Sequence, residues 1–156
     1  MDERQVAGSA MGLDPLVVAA VLLGGAVTVL VALALPWATF HDRGLGATIE
    51  MDGGTTGRVL VGALAVFVMG LAAIRARHPK AGPTLAQAGA SFALLAAVVA
   101  LALHAIATAN DLTSPFPGQT AYGPGSVIGG LGALAAAAAS GLALLDGWSA
   151  GSHPLG

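Results

Sequence analysis

Between Asp14 and His41 the chain carries no charged side chain. The apolar stretch inside this interval, residues 16–36, is 21 residues long, and a helix crossing the hydrocarbon layer needs about 20. In lipid, backbone amides and carbonyls can bond only to one another, so a lone apolar run of this kind is confined to a helix. Three more such runs follow. Residues 59–74 lie between Arg58 and Arg75 and number 16, about 24 Å of helix. Arginines at both ends can snorkel to the headgroups and make up the length. Residues 84–109 number 26, with His104 their one ionisable group. At about 39 Å this helix must tilt or project from the bilayer. The fourth run, residues 127–145, is closed by Asp146.

The runs predict an all-α membrane protein, a four-transmembrane-helix bundle forming a single integral membrane domain over residues 1–156. The expected helices are 14–36, 56–76, 83–109 and 124–146. The outer loops are 37–55 and 110–123, and the cytoplasmic turn is 77–82. Composition agrees: 56% of residues are hydrophobic and 9% charged, against roughly 25% charged in a soluble domain. So few charges cannot cover a water-exposed surface, and lipid must cover the rest. The net charge of −2 offers no basic footprint for nucleic acid. The absence of cysteine excludes disulfides, thiolate catalysis and Cys-ligated metal centres. No cofactor is implied.

Ala32-Leu33-Ala34 has the small-x-small form of a signal-peptidase site. The segment before it argues otherwise. Asp2, Glu3 and Asp14 outnumber Arg4, whereas a signal peptide opens with positive charge and a shorter apolar stretch. Helix 1 is therefore expected to be retained as an anchor. The turn holding Arg75, Arg77, His78 and Lys80 contains no acid, which places it in the cytoplasm together with both termini. The outer loops then carry Asp42, Glu50, Asp52 and Asp111 against Arg43 and Arg58. This orientation predicts a multi-pass protein of the plasma (inner) membrane. Trp37, Phe40, Phe116 and Tyr122 would lie at the outer interface and Trp148 at the inner one, as aromatic belts do.

The first outer loop has internal order. Residues 48–52 alternate polar and apolar, the period of a half-exposed strand. Residues 38–42 can form its partner, with Asp42, Gly44 and Gly46 supplying the turn. A β-hairpin is expected, with Phe40, Ile49 and Met51 towards the bundle. Gly53-Gly54 ends it, and Thr55 or Thr56 would cap helix 2. A lone hairpin is marginal in water, so it should pack on the second outer loop. Pro115, Pro117 and Pro124 predict that this loop is irregular, with Pro124 opening helix 4.

Small residues recur every fourth position in helix 4: Gly125, Gly129, Ala133, Ala137 and Gly141. Ala20, Gly24, Thr28 and Ala32 do the same in helix 1, and Gly62 and Gly70 share a face of helix 2. Such stripes let helix backbones approach closely. Holding the bundle together is the plainer role. Docking a membrane-protein partner, or a second copy, through helix 4 is the functional one.

Few side chains offer chemistry. His104 lies deep in a span, on a face with Ala97, Ala100, Leu101 and Thr108. It is expected to bond to a carbonyl, to Thr108 or to the outer loop; the sharper alternative is a proton path. Gln87 and Ser91, four residues apart, can bond across to another helix. His41, Asp42, Glu50 and Asp52 gather in the first outer loop without a recognised metal spacing, so no metal is expected. Arg75, Arg77 and Lys80 could hold anionic headgroups, although orienting the chain already accounts for them. No Walker-type glycine loop, Gly-x-Ser-x-Gly or His-Glu-x-x-His occurs.

Leu35-Pro36-Trp37 at the end of helix 1 and Gly123-Pro124-Gly125 at the start of helix 4 carry a resemblance. The chain resembles small four-span membrane proteins of actinobacteria, of the tryptophan-associated membrane protein type. The resemblance implies a bacterial plasma-membrane protein and brings no activity with it. Three functions are open from the sequence. The first is a non-enzymatic accessory or structural protein, possibly a subunit of a larger complex. The second is a small transport or proton-conducting protein using His104. The third is a membrane enzyme with an outer-face site among His41, Glu50, Asp52, Asp111 and His104.

Overall fold

Four helices form the frame, and a small sheet closes one end of it. The computed structural model describes residues 13–80, 84–114 and 118–151, with side chains to Trp148. Pro115, Phe116 and Pro117, to which the sequence assigned loop and interface roles, lie outside the described residues. The elements run α1 (Pro15–Ala32), β1 (Ala38–Asp42), β2 (Thr48–Met51), α2 (Thr55–Arg77), α3 (Leu85–Thr113), β3 (Gly118–Tyr122) and α4 (Pro124–Gly151). All four helices are long and apolar enough to cross a membrane. This is the architecture of a multi-pass membrane protein.

Local chemistry sets the helix ends. The Asp14 carboxylate accepts from the Leu16 amide at 2.8 Å, and Pro15 supplies the fixed φ that suits a first helical position. α1 stops at Ala32, short of the expected 36, and the chain turns through residues 33–36 into β1. Pro36 cannot donate to a continuing helix. α2 is 23 residues long, one residue longer at each end than the expected 56–76. Its N-cap is Gly54, not Thr55 or Thr56. Gly54 has φ of 80° and makes no side-chain cap bond; that backbone favours glycine. α3 is capped by Thr84, whose hydroxyl accepts from the Gln87 amide at 3.2 Å. It runs past residue 109 to Thr113, whose hydroxyl donates back to the Ala109 carbonyl. α4 likewise passes residue 146 to reach Gly151. The spans are therefore legible from the charge-free runs, whereas α3 and α4 run four and five residues beyond their expected ends.

α1 packs between α2 and α4, and α3 completes the ring against the same two helices. The interior is built of small and medium residues, among them Val18, Leu22, Ala26, Val29, Ala65, Val68, Leu94, Val98, Ala133 and Ala136. Large apolar side chains point outward, including Val17, Leu23, Phe67, Ile74, Leu103, Leu131 and Leu145. A water-soluble bundle would do the reverse. Lipid removes the hydrophobic drive between helices and leaves close contact to hold them.

The closest approach is between α1 and α4. A Cβ on Gly25 would lie 2.5 Å from the Gly132 carbonyl oxygen, and one on Gly132 would lie 2.6 Å from that of Gly25. Half of the stripe expected on α1 faces α4: Thr28 and Ala32 lie against Gly132 and Gly129, whereas Ala20 and Gly24 are exposed and Gly25 makes the closest crossing. In α4, Gly125, Gly129, Ala133 and Ala137 are all buried within the chain's own bundle. Gly141 is half-buried, facing the Phe92 ring of α3. Gly62 touches Leu33 only at ordinary distance, and Gly70 has open space around it.

Ser91 bridges α3 to α4 through a 2.9 Å hydroxyl contact with Ser140 and donates to the Gln87 carbonyl. At the same end of the bundle, the Leu13 amide donates to Asp146 at 3.1 Å.

Gly132→Ala should destabilise the bundle by about 1–3 kcal/mol, the usual cost of overpacking. Gly24→Ala and Gly70→Ala should be neutral or slightly stabilising, since alanine favours helix. Thermal unfolding of the three variants in one detergent checks this, and equal losses in all three would count against the crossing.

Candidate functional site

The hairpin was expected, but the sheet has a third strand. Its order is β2-β1-β3, antiparallel throughout. The second loop, expected to be irregular, contributes β3. Residues 118–122 lie between prolines and read as loop, yet β1 leaves a row of backbone groups open on the side away from β2. Pairing with Gly118–Tyr122 satisfies them.

Trp37 seats this sheet on the helices. The residue is 0% exposed and not at the interface as a belt residue would be. Its indole Nε1–H donates to the Ala32 carbonyl at 3.1 Å. Its amide donates to the Met51 carbonyl, and its own carbonyl accepts from the Gly123 amide, both at 3.0 Å. The Pro36 carbonyl accepts from the Gly125 amide at 2.9 Å. The two motifs Leu35-Pro36-Trp37 and Gly123-Pro124-Gly125 are therefore two halves of one junction. Any side chain at Gly123 or Gly125 would strike backbone of residues 32–37, and a Cβ on Gly129 would come within 3.2 Å of the indole.

Arg58 secures the same junction. It pairs with Asp52 at 2.9 Å and donates to the Leu33 carbonyl at the α1 C-terminus. A cation there complements the helix dipole. The residue expected to snorkel towards headgroups is instead folded back onto the protein.

Register fixes what each sheet face presents. Thr39 lies opposite Glu50 and Ala121, and His41 lies opposite Thr48 and Gln119. Opposed residues share a face, so these six form the outward surface. Thr39 is half-buried and the rest are exposed. The other face presents Ala38, Phe40 and Asp42, all buried, with half-buried Met51 against the bundle. Ile49, expected beneath the sheet, is 47% exposed because it lies on the edge strand.

The candidate polar residues are mostly occupied in structure or apart from one another. His41 Nδ1 lies 3.3 Å from the Thr48 hydroxyl across the hairpin. Asp42 is buried and accepts from the Gly44 and Leu45 amides at 2.6 and 3.2 Å, which closes the turn. Asp52 is paired with Arg58. Glu50 and Asp111 are exposed. His104 is exposed on α3, outside the core, and a Cβ at Gly54 would come within 4.0 Å of its Nε2. Among the described residues, no three His, Cys, Asp or Glu side chains are grouped to hold a metal ion. Compared with protein-family models, curated proteins and solved structures, the chain matches none.

With Trp148→Phe removing the second of the two tryptophans, fluorescence should report Trp37 alone. Its emission should be blue-shifted and resist acrylamide. Gly129→Val should shift it to the red and cost about 1–3 kcal/mol. Free quenching of Trp37 in the folded parent would contradict the junction.

Proposed function

We propose that the protein is a non-enzymatic accessory or structural membrane subunit that presents its sheet to a partner in a larger complex. One observation carries this reading. The outward row of Gln119, His41, Thr48 and Glu50 is exposed, while the strand beneath it is fixed to the bundle through Trp37. A rigid polar face lets a partner bind without paying to order a loop. The apolar, small-residue interior supports a structural role in the same way. A transport role through His104 draws no support from its exposed position. The α4 stripe is covered by the chain's own helices, so contact with a partner falls to the sheet and to the outward helix faces.

The reading includes an orientation. The acid-free turn with Arg75, Arg77 and Lys80 favours the cytoplasm, with both termini on that side and the sheet outside. The resemblance to tryptophan-associated membrane proteins adds a bacterial plasma membrane.

Native mass spectrometry of mild-detergent extracts should give a complex of fixed stoichiometry. Thr48→Arg with Gln119→Arg should dissolve it while leaving the isolated chain's melting temperature within about 1 °C, as exposed substitutions do. A strictly monomeric particle, or a complex indifferent to both arginines, would sink the proposal.

Orientation is open to cysteine labelling because the chain has no native cysteine. Leu45→Cys, at the exposed hairpin tip, should react with an impermeant maleimide on intact cells. Lys80→Cys should react only after permeabilisation. The opposite pattern reverses the orientation.

A further inference from the structure

At the end of the bundle away from the sheet, two buried side chains have hydrogen-bond donors with nothing to receive them. Arg75 is 8% exposed and Gln87 is 5% exposed. Arg75 Nε and Nη1 and Gln87 Nε2 are buried and make no hydrogen bond. Arg75, expected to snorkel to the headgroups, is instead buried. The residue lies in the last turn of α2, and Gln87 lies in the first turn of α3. These helices are consecutive and pack together, so the two residues lie in end turns that flank the same connection. Leaving two guanidinium nitrogens buried without an acceptor is unfavourable.

The other groups at this end show what kind of acceptor is missing. No acid occurs from Arg75 to Lys80. Asp14 caps α1, and Asp146 accepts from the Leu13 amide. The Arg58–Asp52 pair, among the described residues, is at the opposite end. Arg77, His78 and Lys80 are exposed around an open cavity of about 540 Å³ that they line with Pro79. Arg75, Arg77 and Lys80 thus fall within one stretch, residues 75–80, that holds no acid. The buried donors call for a compact anion with several acceptor oxygens.

We propose that Arg75 and Gln87 bind a phosphate group at this end of the bundle, with Arg77 and Lys80 supplying long-range attraction. A guanidinium is weakly hydrated and suits phosphate recognition, and charge-assisted bonds to phosphate are the strong class. The phosphodiester of an anionic lipid and free inorganic phosphate offer the same oxygens. The depth of Arg75, within one turn of the helix end, suits a headgroup. The site is independent of the sheet and of any partner on it.

The test uses the full chain in nanodiscs of phosphatidylcholine, alone, with phosphatidylglycerol, or with inorganic phosphate against chloride at matched ionic strength. The parent melting temperature should rise by roughly 2–4 °C with an anion that fills the site. A rise with phosphatidylglycerol alone assigns the site to lipid, and a rise with inorganic phosphate assigns it to the free anion. Arg75→Met and Gln87→Leu should abolish most of the rise, yet be at least as stable as the parent in phosphatidylcholine, because each removes an unpaired buried donor. Arg77→Gln with Lys80→Gln should retain much of it. If Arg75→Met does not fold, Gln87→Leu and native mass spectrometry of the parent, which should retain one phosphate-bearing adduct, decide the matter. No rise with either anion, or the same rise in Gln87→Leu as in the parent, overturns the proposal.

Discussion

The burial of one indole ties the two parts of this molecule together. Trp37 is the first residue after Pro36 ends any continuation of α1, and it must be placed before β1 can begin. Its ring occupies the notch at Gly129, its Nε1–H takes up an α1 carbonyl, and its backbone bonds to Met51 and Gly123. Burying an indole removes on the order of 150–250 Å² from solvent, and its one polar atom is satisfied. The sheet's position then follows. β1 leaves Trp37 in a fixed direction, β2 returns to it at Met51, and β3 meets it just before α4. A three-stranded sheet this small would be marginal alone. Here both of its outer strands run into or out of the same junction.

The helices below obey a different rule. Glycine meets glycine where α1 crosses α4, and alanine fills most of the remaining interior. Lipid is as apolar as leucine, so large side chains gain little by turning inward. Backbone proximity and dispersion contacts replace the hydrophobic drive, which explains why the outward residues are the bulky ones. Within this core the Ser91–Ser140 hydroxyl contact links α3 to α4. Distinctive polar surface remains at the two ends.

Local signals were legible in the sequence, and relations between distant segments were not. Charge-free runs gave all four spans, and period-two alternation with Asp42 and Gly46 gave the hairpin. Residues 118–122 carry no such alternation of polar and apolar residue types, and their strand exists because β1 has a free side about 80 residues away. The Gly24-Gly25 doublet admits two stripes about 100° apart on the helix, and only the partner helix decides between them. A Pro-Trp pair at a span end resembles an interface belt until Gly129, far along the chain, is known to open a notch for the ring. Among the candidate polar residues, Asp42 and Asp52 make structural contacts. One closes a turn, and the other holds the arginine that caps α1.

The two ends of the bundle differ in how completely their polar groups are matched. At the sheet end, buried Asp42 finds two amides, half-buried Arg58 finds a carboxylate and a helix carbonyl, and the indole finds Ala32. Every one of those bonds is made within the chain, which makes that end rigid without help. At the other end, Arg75 and Gln87 are buried to the same degree but keep donors unmatched. A lysine could have carried the orienting charge and snorkelled away from the apolar interior. A buried arginine gives up that escape, and its burial is stable only when an acceptor is supplied. Among the described residues no carboxylate bonds to its Nε or Nη1, whereas a membrane surface is lined with phosphate. The end away from the sheet is therefore the one whose buried donors call for an acceptor from outside the described residues.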